Sequence, residues 1–360
     1  MSDPLFLFPN LGAEEGDGWR RMASHPRVRA AARLWAALFR PTPEFAPGLS
    51  GALGRDGGSA AFELCDLRGL VPWLSTPEAL ALAREQGLPL AAAAPELVAR
   101  VHDKAFALER ARAEGLLPAE LAKTAFALGP EELDAADTVQ CRIEEEVARW
   151  PRELGEEFVL KPRFGTSGRG RLTGRDGRLD LESLRGNLPR FRERGGVVVE
   201  PWLERSADLS AQLWITPERE PRLLGTLQQI VTPTGVPIGH TGRFEPDGAV
   251  RSGSPWDDEL QRAAQALGRA AAAEGYTGPC GLDAFSYRAA DGRERFRAVV
   301  EWNARFTAGT SALGVLARAR RAGLLERARR FHVGIAPELA LGARIPLFAD
   351  DSELGLWLGP

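Results

Sequence analysis

The sequence predicts a mixed fold, with an α/β layer at the N-terminus leading into an α+β domain built on a substantial antiparallel sheet. Three observations predict it. Before about residue 157, short apolar runs alternate with amphipathic helical stretches. Beyond that point, β-rich runs separated by turn residues take over. The composition, 44% hydrophobic and 26% charged over 360 residues, is that of an ordinary globular protein with length for two or three domains.

The elements follow in order. PLFLF (4–8) reads as a strand, and RVRAAARLWAALF (27–39) as an amphipathic helix. Residues 46–60, rich in Gly and Ser, read as a loop. LVPWL (70–74) leads into a helix at 76–87, with Thr76 as N-cap and Gly87 as C-terminal stop. PLAAAA (89–94) reads as a further short strand before one helix over 95–115. The segment from Pro118 to Glu157 reads as mostly helical. FVLKP, VVVEPW, LSAQLWI, LLGTLQQIV, GLDAFSYR and FRAVVEW then read as strands, with helices at 260–275 and 311–323. This texture divides the chain at 1–94, 95–157, 158–204 and 205–360.

Charge and cysteine content exclude several classes. A formal net charge of −3 excludes a strongly basic chain that holds nucleic acid by charge alone. Cys65, Cys141 and Cys280 form no CxxC pair and no even-numbered framework, so a reducing cytoplasm is the expected home. The first residues lack a basic n-region, and no stretch approaches the ~20 apolar residues of a membrane span. Of the 46 basic residues only Lys104, Lys123 and Lys161 are lysines. In so arginine-rich a chain, a retained lysine is either chance survival on the surface, the commoner case for any one of them, or a place that needs a compact charge on a flexible stem.

Two constellations carry chemistry. The first is Lys161-Pro162 at a strand end, followed by Gly165, Thr166, Ser167, Gly168 and Gly170. Glycines let backbone N–H groups turn toward an anion, small hydroxyls add donors, and Lys161 reaches the same anion. The order is not that of a P-loop, and a plain hairpin turn is the bland alternative. The second is GLDAFSYR and FRAVVEWNAR around the turn AADGRER. Folding this hairpin about Gly292 sets Asp283 opposite Glu301, about 5 Å apart, where like charges repel unless a cation lies between them. Asn303, two residues on, shares the face of Glu301. Such oxygens suit a hard cation, with Mg²⁺ and phosphates the natural occupants; the alternative is two solvated acids on an exposed sheet face, weakened because Arg305 follows on that face. A register slip of two residues keeps the carboxylates on one face, whereas a slip of one separates them.

The succession KPxxGxxGxG, VVxEPWLx(4)D, GLDAF and VEWNAR resembles the ATP-grasp superfamily of ADP-forming carboxylate ligases, and HDKAFAL (102–108) resembles the start of its central domain. The resemblance covers roughly residues 95–330, and its specificity lies in the order of motifs that are each degenerate. It implies an ATP-grasp fold, with 1–94 as the N-terminal α/β domain preceding it and 95–157 as a central, mostly helical segment. Residues 158–204 become the small subdomain with a glycine-rich lid, and 205–360 the C-terminal subdomain with the metal site. Lys104 and Lys161 would contact ATP phosphates, beneath the lid from Gly165 to Gly170. Glu200 through its carbonyl and Leu203 through its N–H, flanking Trp202, would read adenine, and Asp208 the ribose. Asp283, Glu301 and Asn303 would hold Mg²⁺, one ion or two, with Mn²⁺ as a substitute. Arg305 would stabilise an acyl phosphate.

The implied reaction joins a carboxylate, of an amino acid or peptide, to an amine through that acyl phosphate. Small-molecule or peptide substrates are the implied partners, without nucleic acid or membrane, and a homodimer stays open. Two other readings are a kinase acting on a small acceptor and a non-catalytic nucleotide-binding regulator. The stretch after Arg305 departs from both the D-alanine–D-alanine ligases and the biotin carboxylases, the latter by lacking their glutamate and histidine continuation. His240 and Arg243 stand equally open to structural and substrate roles.

Overall fold

The computed structural model describes residues 5–40, 42, 44–45, 68–165, 168–232, 237–335, 342, 344–350 and 353–360. In chain order the first elements are β1 (Leu5–Phe8), α1 (Trp19–Ala23), α2 (Pro26–Phe39), β2 (Gly69–Pro72), α3 (Pro77–Glu85), α4 (Pro95–His102) and α5 (Lys104–Ala113). Next come β3 (Phe126–Leu128), α6 (Ala136–Val147), β4 (Glu157–Pro162), β5 (Leu172–Arg175), α7 (Leu181–Glu193) and β6 (Val197–Pro201). Long strands follow: β7 (Arg205–Ile215), β8 (Pro221–Val231) and β9 (Pro237–Phe244), then β10 (Val250–Arg251) and α8 (Asp257–Ala273). The chain closes with β11 (Gly278–Arg288), β12 (Glu294–Asn303), α9 (Ala308–Arg321), β13 (Arg330–Gly334), β14 (Arg344–Pro346) and β15 (Gly355–Gly359).

Two compact units form. The first gathers Met1–Ala99, Leu209–Leu282 and Asn303–Pro360, and the second Arg100–Asp208 and Asp283–Trp302. The division falls within β7, β11 and β12. These strands belong to a sheet of order β12-β11-β7-β8-β9-β13-β15-β14, with β10 paired to β9.

In the first unit, β1 and β2 pair in parallel from Leu5↔Gly69 to Phe8↔Pro72. Thr76 caps α3 as its sequence position predicts, its hydroxyl accepting from the Ala79 N–H at 3.2 Å. The expected strand at 89–94 reduces to a single parallel bridge, Leu70↔Leu90. Four of its residues are alanines, which offer little surface to pack on a sheet. An aromatic cluster of Trp35, Phe39, Trp73, Trp214 and Phe306 packs edge to face, with centroids 5.4 to 6.0 Å apart in the T-shaped pairs.

In the second unit, β3-β6-β4-β5 form a four-stranded sheet. Strand alternation sends Phe158, Leu160, Val197 and Val199 to one face, where they bury against Leu184, Leu188 and Phe191 of α7 and Val139 and Ile143 of α6. Val159, Lys161, Val198 and Glu200 therefore share the other face. The helix expected over 95–115 is two helices. Asp103 takes extended backbone angles and caps α5, accepting from the Ala105 N–H at 2.8 Å. The expected helical stretch 118–157 also contains β3, which pairs antiparallel with β6.

Candidate functional site

Within the second unit, the shared face of β4 and β6 carries an ion cluster. The register sets Val159 opposite Glu200 and Lys161 opposite Val198, so Lys161 and Glu200 are diagonal neighbours. The Lys161 ammonium pairs with the Glu200 carboxylate, whose second oxygen accepts from the Arg297 guanidinium at 2.6 Å. The Glu200 and Arg297 side chains are each 4% exposed, and that of Lys161 14%. Burial opposes ionisation of Glu200, but Arg297 and Lys161 together hold its pKa down, to about 2. Burial lowers the pKa of Lys161, against the opposing pull of Glu200.

Lys104 is the first residue of α5. Its ammonium lies 3.2 Å from the Glu301 carboxylate and donates to the Gly165 carbonyl at 3.1 Å. Arg163 anchors this corner, its Nε 3.0 Å from both Asp103 carboxylate oxygens, while the Lys104 N–H donates to the Arg163 carbonyl at 3.4 Å. The helix start is thereby tied to the loop that follows β4. Lys104, Lys161, Glu200 and Arg297 line one small cavity. Lys123 is exposed on the surface.

The turn between β11 and β12 closes where the Ala289 N–H donates to the Arg293 carbonyl at 2.9 Å, with Gly292 at φ 77°. Tyr287 and Arg295 both bond Glu120, and the Arg297 guanidinium lies 5.7 Å from the centre of the Phe285 ring. Pairing Ala289 with Arg293, Tyr287 with Arg295 and Phe285 with Arg297 brings Asp283 opposite Val299. Asp283 and Glu301 are thus one diagonal step apart, two residues from the symmetric register. They stay on one face, as a slip of two must leave them. Two hard carboxylates on one face, one of them already drawn to a cation in Lys104, fit Mg²⁺, which binds through one or two carboxylates and completes its shell with phosphates and water. Among the described residues, no cluster of three or more His, Cys, Asp or Glu side chains forms.

The other residues singled out in the sequence fall as follows. Gly168 and Gly170 take left-handed angles, φ 66° and 69°, as a turn rich in donors requires. Gly165 accepts from Lys104, and Thr166 and Ser167 lie outside the described residues, as does Cys65. The Trp202 N–H donates to the Glu157 carbonyl at 2.9 Å, and its ring lies 4.8 Å beneath the Arg171 guanidinium. Leu203 packs beside Phe285 and Tyr287. Asp208 pairs with Arg205 at 2.7 Å.

In the first unit, Asn303 ends β12 and is buried. Arg305 pairs through Nε with the buried Glu14 carboxylate, donates to the Phe306 carbonyl at 2.8 Å, and lies 5.9 Å from the Trp73 ring centre. Thr307 caps α9, accepting from the Thr310 N–H at 3.0 Å, and its hydroxyl donates to Gln212 at 2.6 Å. His240 lies inside β9, opposite Val333 of β13, and burial lowers its pKa to about 4. Arg243 is more exposed and pairs with Glu245 at 2.8 Å. Both have structural partners or surroundings. Arg297 and Glu14 escaped the sequence reading. For Arg297 a signal exists, since it shares the strand face of Glu301 by parity. For Glu14 none does.

No protein-family model matches the chain, and no curated protein matches it with significance. Solved structures do. A biotin carboxylase from Campylobacter jejuni, described as a beta-gamma-ATP complex, superimposes with a TM-score of 0.52 at 12% identity, over 81% of this chain and 70% of that one. The biotin carboxylase domain of a 2-oxoglutarate carboxylase from Hydrogenobacter thermophilus, in complex with MgADP and bicarbonate, gives 0.52 at 15% identity, over 93% and 75%. Pyruvate carboxylase from Rhizobium etli gives 0.51 at 15%, over 93% and 31%. At these identities the likeness is one of fold, and the fold is the mixed α/β ATP-grasp architecture that the motif order predicts. Among the described residues, no helix is long and apolar enough to cross a membrane.

Proposed function

We propose that the chain is an ATP-dependent, ADP-forming ligase that activates a carboxylate, of an amino acid or peptide, as an acyl phosphate and passes it to an amine. The observation that carries the reading is the convergence of two of the chain's three lysines on carboxylates of one unit, Lys161 on Glu200 and Lys104 on Glu301. Phosphoryl transfer needs charge neutralisation and positioning more than acid–base chemistry. Both lysines supply compact cations that approach phosphate oxygens as point charges.

The residues divide the work. Glu200, kept ionised by Arg297 and Lys161, holds the Lys161 ammonium extended and charged. Lys104, paired here with Glu301, would be the cation for the phosphates, and Asp283, Glu301 and Asn303 would be the residues to hold Mg²⁺, which would supply charge neutralisation there. The glycines from Gly165 to Gly170 turn backbone donors toward the phosphates and cover them, which keeps water from the acyl phosphate. The backbone at Glu200 and Leu203 reads adenine, and Asp208 exchanges Arg205 for the ribose hydroxyls. Arg305 stabilises charge on the acyl phosphate.

ADP release tests the reading, measured over a panel of carboxylates and amines with each omitted in turn. The ligase reading requires both. Release with one acceptor and a stable phosphorylated product contradicts it in favour of a kinase. Nucleotide binding without turnover across the panel contradicts it in favour of a regulator.

A further inference from the structure

The first unit contains a cavity of about 180 Å³, lined by Trp73, Trp214, Phe306 and Arg305 among others. Its chemistry is lopsided. The aromatic walls are fixed, since Trp73 and Trp214 each pack edge-on or tilted against Phe306, with centroids 6.3 and 6.0 Å away. Two lining hydroxyls are already spent, that of Ser75 on the Ala93 carbonyl at 2.7 Å and that of Tyr276 on the Pro279 carbonyl. Among the described lining residues, Arg305 supplies the one charged side chain. The Glu14 carboxylate lies against its Nε and the Phe306 carbonyl accepts from one terminal nitrogen, which pins the guanidinium and leaves donors for a second carboxylate.

We propose that this cavity takes the apolar side chain of the substrate acid, with the carboxylate on Arg305, and so selects acids bearing a phenyl- or isobutyl-sized group. Volume sets the size. A dry apolar cavity of about 150 Å³ accepts benzene, so 180 Å³ has room for a phenyl ring or a branched alkyl group. Polarity sets the class. A polar side chain would lose its hydration against walls that are mostly aromatic and alkyl, two of whose three hydroxyls are already bonded to backbone carbonyls. Binding itself stands independently of the ligase reading, and only the role as substrate rests on it.

The test is binding of 3-phenylpropionate, L-phenylalanine, L-leucine, acetate and L-glutamate to the full chain without nucleotide, by calorimetry. Ala92, a partly exposed lining residue, is also replaced by leucine to fill the cavity. The phenyl or isobutyl acids are expected to bind at least tenfold more tightly than acetate or glutamate, and Ala92→Leu to erase most of that advantage while the far-ultraviolet dichroism stays unchanged. Whichever of 3-phenylpropionate and L-phenylalanine binds more tightly identifies the free acid or the amino acid as the source. Equal binding across the panel, or a preference that survives Ala92→Leu, overturns the proposal. ADP release with glutamate but not with the phenyl acids overturns it while leaving the ligase reading intact. Selective binding without ADP release from any pair leaves the cavity assignment standing and removes the ligase reading.

Discussion

Glu200→Gln is the sharpest perturbation of the second unit. The carboxylate lies between Lys161 and Arg297, so its removal leaves two cations facing each other in a nearly dry site. Loss of one partner from a buried ion cluster costs about 3–5 kcal/mol. The acid titration gives a second figure. A pKa lowered from 4.5 to about 2 corresponds to about 3 kcal/mol of native-state stability at neutral pH. Because the folded pKa lies below the unfolded one, that contribution is complete above about pH 5 and disappears as pH falls toward 2. The assay is urea unfolding of wild type and Glu200→Gln between pH 7 and pH 2, read by pulsed hydrogen exchange of β4 and β6 so that the second unit is followed by itself. The variant is expected to lose about 3 kcal/mol at pH 7, with the difference shrinking progressively below pH 5. A difference under about 1 kcal/mol at pH 7, or one unchanged between pH 5 and pH 2, would refute the reasoning.

Two further outcomes follow from the same unit. Gly196 has φ 105° and a Cβ there would fall against the Leu128 carbonyl oxygen, so Gly196→Ala is expected to lower the melting temperature by several degrees, equivalent to about 1–3 kcal/mol. An unchanged melting temperature would count against the close approach of β3 and the α7–β6 turn. Asp103→Ala removes both the cap of α5 and the anchor of Arg163; it is expected to cost about 1 kcal/mol of stability and to weaken MgATP binding severalfold by freeing Lys104, as calorimetry would read.

Much of the fold was legible because the sheet strands carry their own signal. FVLKP and VVVEP alternate between a helix-facing and a site-facing set, and that period of two also sends Lys161 and Glu200 to one face. Helix α7 was not legible, since Gly186 and Pro189 interrupt LESLRGNLPRFRE with residues that normally end helices. The hairpin was placed correctly, but its register lay two residues off because Gly292 occupies a left-handed position beside the turn instead of its centre. Of the candidate site, the lysines and Glu301 stood out by motif order and by their rarity in an arginine-rich chain. The Glu14–Arg305 pair did not, because it joins residues distant in sequence and no local pattern marks a buried glutamate. The aromatic cavity was equally hidden, since its walls come from five separate stretches of chain.

The central claim is that Lys104, Lys161 and Glu301 form an ATP–metal site. Thermal shift of wild type and Glu301→Ala, with Mg²⁺ plus ATP, ADP or nothing, tests it most directly. A ligand at a hundredfold over its Kd adds about 2.7 kcal/mol, enough for a clear rise in melting temperature. That rise is expected in wild type, with a much smaller one in Glu301→Ala. No shift in wild type at millimolar MgATP, or an equal shift in the variant, would contradict it.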